Sequence, residues 1–470
     1  MQNIVNSVKD PTTGEPHFRN VDFRETVFLG VAQFAEALFE GEVAFDRCHF
    51  HVAADFSGAT FKKDASFSRC TFDGQVNLWH AVFHDSARLD ITIFKKAENV
   101  GPLTCNGTFD LSLAEFHAPM TIQAVAREVL CREARWEYPA TIRLRYARLD
   151  LTDAIFMNSA VVISRKYPFF SMTEAGASLP LDEAPIMAIG RSEKSALSSL
   201  QRVDCAMLTL ADMDLSECSF IEAVHLDQLR LDDSWVLHRT PRHRIWSPLP
   251  FRWTSRQVIK EECEWRATDG RTAQLRQGWG PPVHFSSHTP RASTLTITYR
   301  QLRKSREDAK DEPGAADFYY GEMEMRRQCL KWNETERWLL QAYWILSGYG
   351  LRAARAVGWF ALSMVFTIIL MMGFGLPQES PRQAVTGTVP PDGGRVSFEI
   401  DKEDPKNPSG DRFTSMRFEK ALSVTLNSAV FRSSGQDLTT AGGYIEMASR
   451  FSEPILLGLA ALAIRGRVKR

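Results

Sequence analysis

Eleven histidines and eight cysteines are the side chains here best suited to holding a metal or attacking a substrate, and their spacing argues against both. His80 and His84 stand four apart, which is a metal-ligating interval only on a helix. No H-E-x-x-H, G-x-S-x-G, P-loop or helix-opening G-x-G-x-x-G occurs. No two cysteines form C-x-x-C, so neither a zinc module nor a disulfide framework is indicated, and Cys48 and Cys70 read as small core residues. Asp/Glu pairs are plentiful but lie in polar stretches, where they serve solubility. No catalytic residue, metal or cofactor is assigned, and enzymatic activity is not expected. Gly348, Tyr349 and Gly350 look like part of a potassium filter, yet they lack a Thr-Val lead and precede the apolar segment. They read as a helix stop and hinge.

The elements that position these side chains follow from a phenylalanine beat. Phe23, Phe28, Phe34, Phe39, Phe45, Phe50, Phe56, Phe61, Phe67, Phe72, Leu78, Phe83, Leu89 and Phe94 recur at alternating steps of five and six. A small or compact residue stands two positions before each. A helix needs apolar residues at i, i+3, i+4 and i+7, and a single strand ends after about eight residues, so neither carries this pattern. A winding chain does. If each step is one side of a four-sided coil, a turn takes about 22 residues and Phe23, Phe45, Phe67 and Leu89 stack as one core ladder. Cys48 then stacks on Cys70 between Thr26 and Thr92, while Arg24, Glu25, Lys62, Lys63, Asp64, Arg69 and Asp85 face solvent. His80 and His84 fall on neighbouring outer faces.

Phrases such as AEALFEG (Ala35 to Gly41) and SGATFKKDASF (Ser57 to Phe67) resemble the pentapeptide-repeat family in its eleven-residue variant. The resemblance implies a right-handed quadrilateral β-helix. It is dense from Val21 to Phe94 and recognisable again in ARLDLTDAIF (Ala147 to Phe156) and LADMDLSECSF (Leu210 to Phe220). Between Phe94 and Tyr167 the beat is broken, so loops are expected on some turns. The chain is divided into a β-helix (1–165), an insertion (166–201), further coils (202–235), a Trp-rich cap and loop region (236–298) and a helical coupling hairpin (299–350). A first transmembrane helix (351–378), an extracytoplasmic loop (379–412), a candidate re-entrant segment (413–440) and a second transmembrane helix with a basic tail (441–470) complete it.

Charge is nearly balanced, with 56 basic against 57 acidic residues, so nucleic acid is not an expected partner. The polar first twenty residues carry no signal-peptide pattern. Ala356 to Gln378 has no charge over 23 positions, long enough to cross a hydrocarbon core of about 30 Å. Arg352 and Arg355 before it, and Arg465, Arg467, Lys469 and Arg470 at the end, orient two spans with both termini cytoplasmic. The second span has to take in Glu446, Arg450 and Glu453. Trp332, Trp338, Tyr343 and Trp344 are candidates for an interfacial aromatic belt.

KDEPGAADFYYGEMEMRR (Lys310 to Arg327) and the closing LAALAIRGRVKR resemble bacterial membrane-bound pentapeptide-repeat proteins, some of which look like two-span ion channels. Phe418 to Leu438 then takes the pore-loop position. Ser433, Ser434, Gly435 and Gln436 stand where a filter would be and lack its T-V-G-Y-G pattern. The leading expectation is a membrane-anchored scaffold that presents a cytoplasmic β-helix to an unidentified protein partner, with membrane lipid around its spans. The alternative is a homo-oligomeric, channel-like protein. A third reading, DNA mimicry toward a topoisomerase, follows only from the family resemblance.

Overall fold

A computed structural model describes residues 16–172, 178–188, 192–232, 234–240, 255–268, 279, 290–378, 383–388, 397–402, 405–431 and 437–468. It separates into two compact units, Met1–Cys329 and Leu330–Arg470.

The first unit is a β-solenoid of about nine turns. Its corners explain the beat. Glu25, Glu36, Arg47, Gly58, Arg69, His80 and Ile91, eleven apart, all have φ between +55° and +65°. Each is the third residue of a β-turn, as where Ala37 N–H bonds the Phe34 carbonyl at 3.2 Å, and that position requires a positive φ. Between corners the chain forms two-residue strands that pair in parallel with the turn 22 residues on, His49 with Thr71 and Phe50 with Phe72. Four ladders result over the first turns. Phe23, Phe45 and Phe67 stack at 4.8 and 4.9 Å between centroids. Phe39, Phe61 and Phe83 do so at 4.7 and 4.6 Å. Every ring of the beat after Phe23 is buried, and each contributes roughly 2–3 kcal/mol of transfer free energy plus about 0.5–1.5 kcal/mol from stacking. The small column between the ladders is hydrogen-bonded: Cys48 Sγ, Cys70 Sγ and Thr92 Oγ1 donate to the carbonyls of Phe23, Phe45 and Phe67 at 3.0, 2.9 and 2.9 Å.

After Phe94 the coil changes rather than breaking into loops, which corrects the sequence expectation. KKAENVGPLTCNG runs into a 12-residue strand, Asn99–Asp110, which pairs with Met120–Leu130. Two register shifts in that pairing, between Val100 and Leu103 and between Cys105 and Thr108, drop two residues per turn. From there to the insertion, partners lie 20 apart, as in Phe116 with Trp136 and Trp136 with Phe156. The first two such turns are one long strand and one short one, and in the next the long strand is split into Ala140–Arg145 and Arg148–Asp150. The insertion leaves after Ala160–Ser164 and includes an antiparallel hairpin, Phe170–Met172 with Ser178–Pro180, and a short helix α1, Ala184–Met187. Phe169, Leu181 and Ile186 pack over Val125 and Tyr146 on the long-strand side, and Arg145 pairs with Glu183 at 2.7 Å in that buried seam. The coil resumes at Ala196–Ser199, paired with Arg148–Asp150, six residues before the expected boundary.

An open solenoid end exposes apolar side chains and unpaired backbone groups and has to be capped. Helices α2 (Lys260–Thr268), α3 (Ala292–Asp308) and α4 (Glu312–Cys329) do this. Leu295, Tyr299, Leu302, Phe318 and Met325 join the same core cluster as the coil. Ser305 Oγ and Arg306 Nη1 donate to the carbonyls of Leu229 and Leu231 at 2.5 and 3.1 Å. The segment from Tyr299, which resembles a solvated coupling arm in sequence, is thus cap. Pro313 and Gly314 lie in the first turn of α4, where proline is tolerated, with Asp311 Oδ1 accepting Gly314 N–H at 3.1 Å.

The second unit begins with α5 (Thr335–Ser347), so the range 299–350 expected as a two-armed hairpin holds three helices, α3 to α5. Gly348 ends α5 in the left-handed conformation, φ +56°, and Tyr349 behind it is buried. Helix α6 (Ala353–Leu370) continues as a π-turn over Met371–Gly375. An antiparallel hairpin, Gln383–Thr388 with Ser397–Lys402, precedes α7 (Ser415–Phe431) and α8 (Thr440–Val468). Ala353–Gly375 and Thr440–Ile464 are long and apolar enough to cross a membrane. Helix α7 buries Ala421 and Val424 against Ile368, Met371, Met372 and Leu376.

Candidate functional site

One outer wall of the coil runs uncovered through seven stacked strands: Val27–Phe28, His49–Phe50, Thr71–Phe72, Ile93–Phe94, Glu115–Phe116, Arg135–Trp136 and Ile155–Phe156. The inward residue of each pair enters one continuous aromatic stack, from Phe28 to Phe156, with centroids 4.5 to 5.4 Å apart. The outward residue, and the residue just after the pair, therefore repeat at fixed height. Backbone bonds hold that second column in place: His51, Asp73, Lys95 and His117 N–H reach the carbonyls of Phe28, Phe50, Phe72 and Phe94 at 2.9 to 3.0 Å.

The middle of this wall is charged and internally paired. His49 Nε2 and His51 Nδ1 both meet Asp73 Oδ2, at 2.8 and 3.0 Å, and Lys95 Nζ meets Asp73 Oδ1 at 2.8 Å. The Lys95 ammonium first, and then the imidazoles, hold the Asp73 carboxyl well below the usual carboxylate range. One turn further, His117 bridges Glu115 and Glu137 at 3.3 and 2.8 Å. The ends are apolar and exposed: Val27 and Leu29 at the start, Ile155 and Met157 at the finish. Chemically this is a regular strip of mixed charge with exposed apolar ends.

The cap holds a second polar assembly, wholly internal. Glu262 accepts from Arg256, from Arg266 at 2.7 Å and from the Tyr299 hydroxyl at 2.5 Å, while Arg327 and Arg266 reach Glu324 at 2.6 and 3.4 Å. These partners keep Glu262 and Glu324 ionised despite burial. The assembly joins α2, α3 and α4.

In the second unit, the π-turn frees carbonyls at the end of α6, and Arg417 takes those of Met372, Leu376 and Pro377 at 2.9, 2.9 and 3.1 Å. Thr367 Oγ1 donates to Glu453 at 3.0 Å, and Ser428 and Ser449 hydroxyls are 2.8 Å apart. Glu446, Arg450 and Glu453 all lie on α8, with Arg450 paired to Glu446 at 2.7 Å.

Of the fourteen-member beat, Phe23 to Phe94, the members Phe28, Phe50, Phe72 and Phe94 back this wall and the others the remaining sides of the coil. Arg352 occupies the N-cap position of α6 without a side-chain capping bond, and Arg355 donates to the Trp344 carbonyl at 3.2 Å with its guanidinium over that ring. Arg465 and Arg467 close α8. Lys469, Arg470 and the candidate pore-loop residues Ser433, Ser434, Gly435 and Gln436 lie outside the described residues. Of the histidine pair singled out in sequence, His80 sits at a corner with φ +61° and His84 Nε2 meets Lys62 Nζ at 3.1 Å. The triplet that converges, His49, His51 and Asp73, carried one legible signal, the 22-residue separation of His51 from Asp73.

No curated protein and no solved structure matches the chain. Residues 14–58 and 45–90 each match the family model described as pentapeptide repeats (9 copies), the same stretch in which the corner and ladder register are most regular. Residues 14–90 are thus a run of pentapeptide repeats.

Proposed function

We propose that this protein is a membrane-anchored scaffold whose β-solenoid offers its uncovered seven-strand wall to a protein partner. The observation that carries the reading is the wall itself: a regular, rigid strip with ordered charge in the middle and exposed apolar ends, on a unit whose long-strand side is already covered by its own insertion. Repeat solenoids bind through extended surfaces of this kind. The two apolar helices support an anchor of two spans. The arginines before the first span and in the tail favour cytoplasmic placement of both termini. The wall's mixed charge does not favour mimicry of nucleic acid.

Proximity labelling with the full chain tests this. A discrete soluble protein should be enriched by the wild type and lost with a wall variant carrying Leu29→Asp and Glu115→Lys. Recovery of general membrane neighbours only, or of the same set with the variant, counts against it.

A second reading, a conducting oligomer of the two spans, draws on Glu453, a buried carboxyl within an apolar helix. Purified protein in planar bilayers should then pass current that Glu453→Gln alters. Silent bilayers, or a monomer by native mass, remove it.

A further inference from the structure

We infer that His49, His51 and Asp73 form a binding site for a divalent first-row transition ion of the zinc type on the outer wall of the solenoid. The donor set is two imidazoles and one carboxylate, which suits zinc, nickel, copper or iron(II) and not calcium or magnesium, whose shells are built of oxygen. The three donor atoms, His49 Nε2, His51 Nδ1 and Asp73 Oδ2, all lie within 4.8 Å of one another. Both ring nitrogens converge on the same carboxylate oxygen, at 2.8 and 3.0 Å. An ion with bonds of about 2.0–2.1 Å fits between donors roughly 3.3 Å apart, so a shift of a few tenths of an ångström admits it.

This convergence is specific. Among the described residues, the other histidine–carboxylate contacts pair one ring with one acid, as His225 with Asp204 and His238 with Glu217, or one ring with two acids, as His117. Only at Asp73 do two rings share one oxygen. The strands preorganise the site, because the backbone bonds that stack each turn on the last fix His51 beneath Asp73. The site is open outward, His51 being exposed, which leaves coordination positions for water or for a side chain of a bound partner. Lys95 occupies the other carboxylate oxygen. Its positive charge orients Asp73 and opposes the ion, so it sets the affinity.

The test uses the full chain in detergent, stripped with chelator, and titrated with Zn2+ against a chromophoric competitor, with Mg2+ as control. The wild type should bind one more equivalent of Zn2+ than His51→Ala or Asp73→Asn. His49→Ala should weaken that equivalent about tenfold or more, and Lys95→Ala should tighten it. Co2+ substitution should give a visible spectrum that the same variants lose. The substituted side chains lie on the solvent side of the wall, and equal melting curves check that the variants fold. Identical Zn2+ stoichiometry and affinity in wild type, His51→Ala and Asp73→Asn, or no Zn2+ bound by the wild type, overturns the inference.

Discussion

Glu261, on the first turn of α2, accepts the backbone N–H of Phe220 on the last turns of the coil. Among the described residues Phe220 N–H meets no further strand, and a carboxylate side chain from the cap takes the place of one. Glu261 is buried, and burial pushes its carboxyl up to about 7.

The first prediction follows from that shift. A carboxyl whose folded pKa is raised is stabilising while protonated, so its contribution is full below about pH 4.5 and is lost as pH rises through about 7. Cap stability should fall by up to roughly 3 kcal/mol between pH 5 and pH 8. Glu261→Gln keeps an oxygen acceptor for Phe220 and cannot ionise. Denaturant melts of the two proteins across pH should show the Gln variant flatter and more stable at pH 8.

The aromatic stack sets the second. Phe50 lies between Phe28 and Phe72 at 4.5 and 4.7 Å and is fully buried. Phe50→Ala should cost about 3–5 kcal/mol in urea midpoint terms. Cys70→Thr should cost under about 1.5 kcal/mol, because Thr92 already makes the equivalent bond in that column.

The corners supply the third. Ile91 is β-branched at φ +57°, a conformation that costs a non-glycine residue roughly 1–2 kcal/mol. Ile91→Gly should stabilise the coil by about 0.5–1 kcal/mol, the relief less the added backbone entropy of glycine. Gly58→Ile, at the same corner position and with a Cβ that would meet Glu36 Cγ at 3.2 Å, should destabilise it. Thermal melts of both variants check the sign.

Much of the coil is legible in the sequence because its period counts whole residues: every ring from Phe28 to Phe94 falls in the ladder that arithmetic assigns it. The count fails after Phe94 for a physical reason, since the two register shifts in Asn99–Asp110 drop residues and spoil the 22-residue spacing. The Trp-rich cap region was legible and holds α2, but the cap's extension into α3 and α4 was hidden, because residues such as Glu324 and Arg327 are charged and yet buried, satisfied by one another rather than by water. Pattern reading places such residues at the surface. The His49, His51 and Asp73 triplet was within reach of the 22-residue arithmetic but requires two neighbouring columns to be considered together.

Gly375 and Gly442 give the fourth prediction. A Cβ on Gly442 would stand 2.4 Å from the Gly375 carbonyl oxygen and 2.9 Å from its Cα, so the end of α6 and the start of α8 touch through backbone. Thr439 Oγ1 adds a bond to the Phe374 carbonyl at 2.6 Å. Small residues at such crossings are what lets apolar helices pack closely. Gly442→Val should separate the pair at a cost of about 1–3 kcal/mol, read as loss of disulfide cross-linking between cysteines introduced on the two helices.

The central claim is that the uncovered wall, and not another side of the coil, meets a partner. Site-specific photocrosslinking in cells tests it directly, with the photoreactive residue at Glu115 on the wall or at Asn77, exposed on the three-strand ladder Ala32–Gln33, Ala54–Asp55 and Val76–Asn77. A discrete adduct from position 115 that is absent from position 77 is the predicted result. Equal labelling from both positions, or no adduct from position 115, would contradict the account.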